Sequence, residues 1–146
     1  MQTRHWFVLI CALLLGLTPL TLTACSGDAS HAYELAPQES LPTDMLSQPA
    51  SVQEAYRFAL GNPEILEQVP CYCGCGAIGH RSNYQCYFKG IGPDGTPQFD
   101  NHALGCSICV DITQDVMRLL DEGKSIPEIR EYVDATYSKY GPSNIP

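Results

Sequence analysis

Three cysteines at alternate positions, in Pro70-Cys71-Tyr72-Cys73-Gly74-Cys75-Gly76, constrain this chain more than any other feature. Cys86, Cys106 and Cys109 follow, with His80 and His102 among them, so six thiols and two imidazoles fall between positions 71 and 109. An ordinary apolar core has no use for three sulfurs so close together. In an extended segment alternate side chains share a face, which would line the three sulfurs along one side of a strand. Gly74 and Gly76 also permit backbone conformations closed to other residues, so a loop turning there could wrap the sulfurs around one or two ions. Thiolates select zinc, copper(I) or iron-sulfur clusters, and imidazole suits zinc, copper and iron.

The start of the chain bears on where this chemistry takes place. Arg4 precedes a mostly apolar run from Trp6 to Leu22, which reads as a secretory signal peptide. A run of this length also approaches what a bilayer-spanning helix needs, but it closes in the small-residue cleavage pattern of an export signal. That closing sequence, Leu22-Thr23-Ala24-Cys25, resembles the bacterial lipobox. The resemblance implies cleavage after residue 24 and a lipid on Cys25. The mature chain is then expected at the cell membrane, lipid-anchored on its extracytoplasmic side. Removing the first 24 of 146 residues leaves 122, enough for one small domain and a tether. The formal net charge of the full chain is -8. So acidic a chain argues against nucleic acid and against a basic lipid-binding patch, leaving the lipid as the membrane attachment.

Residues 25–50 carry Pro37, Pro42 and Pro49 and hold no sustained period, which reads as a flexible tether with His31 and Met45 solvated within it. The folded domain is expected over 51–146. Ser51-Val52-Gln53-Glu54 fits a capping box, with Val52, Ala55, Tyr56 and Ala59 on one helical face. Gly61 stops that helix, Asn62-Pro63 opens a short second one, and Pro70 ends it. Pro93-Asp94-Gly95 marks a turn, pairing Tyr87-Phe88 with Gln98-Phe99 in a short hairpin. Ile112, Val116, Leu119 and Leu120 share a helical face with Cys109, with Cys106 just before the helix and Gly123 after it. A last helix begins at Ser125-Ile126-Pro127-Glu128 and buries Ile126, Ile129, Val133 and Tyr137. The fold class is therefore mainly α: a small helical domain around a cysteine-rich loop region. Tyr72, Tyr84, Tyr87 and Phe88 are expected to fill the core and shield the thiols.

Pro70 to Cys75 reads PCYCGC, and the chain resembles the bacterial lipoprotein family named for that motif, also called the CYCXC (seleno)protein family. The match runs on through His80, Cys86, His102 and Cys106-Ser107-Ile108-Cys109 towards Tyr140. The resemblance implies kinship with proteins some of which carry selenocysteine in the motif. It brings no established activity, so function rests on the chemistry of the residues.

Three readings stand at this level. A disulfide-stapled interaction module is the ordinary expectation for a small exported domain with paired cysteines. It leaves His80 and His102 without a role, and bridges among Cys71, Cys73 and Cys75 would close very small loops. A thiol-disulfide redox protein would use Cys106 or Cys109 at a helix N-terminus, but no βαβ pattern surrounds the pair. Nor does a serine triad, phosphate loop or carboxylate pair suggest another enzyme class. The favoured reading is a soft-metal site built from Cys71, Cys73, Cys75, His80, Cys86, His102, Cys106 and Cys109. Copper(I) or zinc is the expected ion, with an iron-sulfur cluster as the further option, and storage, delivery to a partner protein or detoxification as the role. Of the two histidines, His80 is expected to matter more, because it lies within the stretch that must close around the site.

Overall fold

The computed structural model describes residues 31–145. The signal-peptide segment and Cys25 lie outside the described residues, as does the first part of the expected tether. Four α-helices and one small hairpin make up the regular structure described: α1 (Ala50–Gly61), α2 (Pro63–Leu66), β1 (Phe88–Ile91), β2 (Pro97–Phe99), α3 (Ser107–Asp121) and α4 (Ile126–Tyr137). The mainly helical architecture follows the periodicity of the sequence. No described helix is long and apolar enough to cross a membrane.

Helix α3 is the central element, packing against α1 on one side and α4 on the other. Its buried stripe contains Cys109, Ile112, Val116 and Leu119. Facing it are Ala55, Tyr56, Phe58 and Ala59 of α1 and Ile129, Val133 and Tyr137 of α4. At α4 the capping box of Ser125 and Glu128 forms in full, the Ser125 backbone N–H donating to the Glu128 carboxylate at 2.9 Å. At α1 the expected capping box does not form. The helix starts at Ala50 with Pro49 at its N-cap, so Ser51 already lies inside the first turn. The Gln53 side chain instead donates to the carbonyls of Leu46 and Gln48, fixing the entering chain.

That entering chain departs from the expected tether. Residues 31–49 lie along the domain, with Ala36, Leu41 and Met45 buried in its core. The Ala36 N–H donates to the Arg57 carbonyl at 3.2 Å, and Arg57 Nε donates to the Ala36 carbonyl at 2.6 Å. His31 is exposed, yet its Nδ1 sits 2.7 Å from Asp121 Oδ2 at the end of α3. The segment has no period because its apolar anchors are isolated: Ala36 before the 3₁₀ turn at Gln38–Ser40, Leu41 after it, and Met45 opening the next at Met45–Ser47.

Between α2 and α3 the chain is irregular apart from the antiparallel hairpin, in which Phe88 pairs with Phe99. Tyr87 and Phe88 are buried, as is Tyr72, while Tyr84 is half-buried and stacks on Phe88. This irregular stretch carries Cys71, Cys73, Cys75, Cys86 and Cys106, and α3 adds Cys109.

Candidate metal centre

The motif takes the loop geometry and not the strand. Gly74 adopts a left-handed φ of 88°, turning the chain into a 3₁₀ turn over Cys75–Ile78 that ends at Gly79, φ 96°. An L-residue at Gly74 would be strained by its backbone alone. The turn separates Cys75 from Cys71 and Cys73, so the three sulfurs bend around a common centre. Cys86 arrives from a 3₁₀ turn, Tyr84–Cys86, just before the hairpin. Cys106 is the N-cap residue of α3, and Cys109 lies in its first turn.

These six thiols are all free and converge. Cys71 Sγ lies 3.4 Å from Cys73 Sγ and 3.6 Å from Cys109 Sγ. Cys73 Sγ is 3.6 Å from Cys109 Sγ and 3.4 Å from His102 Nε2, and Cys75 Sγ is 3.7 Å from Cys86 Sγ. None of these pairs is at bonding distance. Four ligands at about 2.3 Å around a tetrahedral zinc would sit about 3.8 Å apart, close to the spacing here. Three sets of four form, each with all ligand atoms within 4.8 Å of one another: Cys71, Cys73, Cys86 and Cys109; Cys73, His102, Cys106 and Cys109; and Cys73, Cys75, Cys86 and His102. Cys73 belongs to all three, and the residues present fit a bound metal ion. Seven of the eight expected ligands thus come together. The eighth, His80, lies outside these sets: its ring packs edge-on against His102 at 5.2 Å, and its Nε2 is 3.8 Å from Asp100 Oδ2.

Crowding splits the thiols into two kinds. Cys71, Cys73 and Cys106 are held below the ordinary thiol range, Cys71 and Cys106 chiefly by hydrogen bonding from Cys109. Cys73 is brought down to about 5 by hydrogen bonding with Cys86, which outweighs its burial, and His102 adds to the effect. The donors are pushed up in return: Cys75 by Cys71, Cys86 by Cys109, and Cys109 by Cys106. Burial by itself would lower His102, but the negative charge of Cys73 and Cys106 raises it. Such unequal, closely spaced thiols are compatible with metal binding, in which a thiol ligand gives up its proton.

A polar frame holds the pocket from behind. The buried Tyr87 hydroxyl lies 2.8 Å from the Cys109 carbonyl and 2.7 Å from Thr113 Oγ1. Asp100 accepts from the His102 backbone N–H at 2.7 Å, and the Tyr56 hydroxyl donates to the Asp100 carbonyl at 2.6 Å. On the opposite side the buried Asn144 accepts from the Cys71 N–H at 2.7 Å and places its Nδ2 3.4 Å from Cys75 Sγ. Sequence reasoning missed Asn144. It follows Gly141-Pro142, which reads only as a helix stop, and no local pattern links it to residues some 70 positions earlier.

No curated protein and no solved structure matches the chain significantly. One family model does match, over residues 21–146, and its description is "Protein of unknown function with PCYCGC motif". With the match covering most of its length and the motif cysteines at the heart of the thiol cluster, the chain belongs to the PCYCGC-motif family.

Proposed function

We propose that the protein is a lipid-anchored extracytoplasmic carrier or store of a soft d10 cation, copper(I) or zinc, held in a polynuclear cluster of thiolates with His102. The observation that carries this reading is the sharing of Cys73 among three overlapping sets of four ligands. Seven ligand atoms cannot serve three separate four-coordinate ions, but bridging thiolates let them hold more than one. Cys71, Cys75, Cys86 and Cys109 are buried, which suits retention better than turnover at an open coordination position. Cys25 would carry the lipid, and the family match reaches back through it. The membrane is thus one partner, and a metal-donating or metal-accepting protein the other.

Protein purified without chelator or reductant should contain more than one equivalent of copper or zinc, with thiols that react only after the metal is withdrawn. Absence of both metal and thiols would support the disulfide-stapled alternative. Free thiols without metal would favour the redox reading, whose structural support is the partly exposed edge formed by Cys73, Cys106 and His102. The anchor is tested separately. Replacing Cys25 by Ala should release a folded, exported protein from the membrane fraction, and continued retention of a cleaved variant would contradict a single lipid anchor.

A further inference from the structure

The last described residues turn back over the motif. The Asn144 side chain accepts from the Cys71 N–H at 2.7 Å and, through Nδ2, donates to the Ser82 carbonyl at 3.1 Å and reaches Cys75 Sγ at 3.4 Å. Its own backbone N–H donates to the Cys71 carbonyl at 3.2 Å. The approach is close on both sides. A Cβ on Gly141 would come within 2.8 Å of the Tyr72 carbonyl oxygen, and one on Gly76 would meet the Asn144 side chain at 3.4 Å. A single buried side chain therefore fixes the two ends of the motif turn relative to each other. Between the turn and the tail lies an open surface hollow bordered by Gly74, Gly76, His80, Pro142 and Asn144.

We propose that Asn144 is a positioning residue of the thiol cluster and that residues 141–145 form a latch whose lifting exposes Cys71 and Cys75. Oδ1 holds the Cys71 backbone in place, while the Nδ2–H donor ties the Cys75 sulfur and the Ser82 carbonyl to the tail. The two atoms thus have separable effects. Lifting the tail would open the cluster at the hollow, next to His80, without disturbing α3 or the Cys106 end. The consequence for metal release rests on the metal-holding reading above, whereas the protection of the two thiols does not.

The test is residue-resolved alkylation of the reduced, metal-free full chain with iodoacetamide, mapped by peptide mass spectrometry. In Asn144→Ala, Cys71 and Cys75 should be modified about tenfold faster, the scale of one lost buried hydrogen bond, while Cys86, Cys106 and Cys109 change little. Asn144→Asp keeps the Oδ1 acceptor for the Cys71 N–H but sets an oxygen against the Ser82 carbonyl and the Cys75 sulfur. Cys75 should therefore speed up, with each rate taken per thiolate from its pH profile because the new carboxylate disfavours the Cys75 thiolate, while Cys71 stays near the wild-type rate. Should Asn144→Ala fail to fold, this second variant decides alone. Unchanged rates at Cys75 in Asn144→Asp, or a parallel rise at every thiol in a variant whose circular dichroism is unaltered, would overturn the latch. In metal-loaded protein the same variants should yield metal to a chelator about 10- to 100-fold faster, as for other groups that hold a ligand from behind. A wild-type chain that takes up no metal would remove the metal-holding reading, and the alkylation pattern would still decide the latch.

Discussion

Cys73 differs from its neighbours by entering all three ligand sets, where Cys86, Cys109 and His102 each enter two. Because it enters all three ligand sets and Cys75 only one, Cys73→Ala should abolish most metal uptake, while Cys75→Ala should retain the larger part; equal losses in a metal titration would contradict a bridging role. The histidines part in the same way. His102 Nε2 lies 3.4 Å from the Cys73 sulfur, whereas His80 meets the site through the His102 ring. His102→Ala is therefore expected to weaken metal binding by about 10- to 100-fold and His80→Ala by less than about tenfold. Sequence position alone favours the opposite order, since His80 lies inside the closing stretch. Spacing reveals which residues are near the site but not which ring atom faces a sulfur. Asn144 illustrates the limit further, because its role depends on a chain reversal with no local signature.

At the level of elements, legibility followed periodicity. Helix α3 could be read from Cys109, Ile112, Val116 and Leu119, and α4 from its Ser125 capping box, because burial on one face imposes a repeat on the sequence. Two readings failed where no repeat exists. Ser51 has the residues of a capping box, yet Pro49 and the Gln53 side chain start α1 earlier. In residues 31–49, prolines separate the buried Ala36, Leu41 and Met45, so the segment has the composition of a linker while adding to the core. The motif turn depends instead on one backbone conformation. Gly74→Ala meets no atom within 4 Å but must hold a φ of 88°. It should cost about 1–2 kcal/mol in a urea titration and loosen metal binding as the turn relaxes. A variant as stable as the parent would mean that the turn adjusts freely.

The described domain is small, and its irregular middle supplies most of the candidate ligands, with Cys109 coming from α3. A chain beginning at Ser51 loses the packing of Leu41 and Met45, each buried side chain contributing about 1.5–3 kcal/mol. Such a truncation should be roughly 3 kcal/mol or more less stable than one beginning at His31, and equal unfolding midpoints would return residues 31–49 to the status of a linker. This segment also governs reach. With His31 bonded to Asp121, six peptide units link the domain to Cys25, so a lipid proposed there would be at most about 22 Å of chain away. The proposed cluster would then exchange metal close to the membrane surface and not at the end of a long tether. The proposed shared thiolate cluster is most directly tested by X-ray absorption at the metal edge of protein purified without chelator. The expected result is a sulfur-dominated shell, at about 2.3 Å if the ion is zinc, with a minor nitrogen contribution from His102 and a metal–metal vector. A single ion bound by oxygen and nitrogen, or a shell with no second metal at full loading, would contradict it.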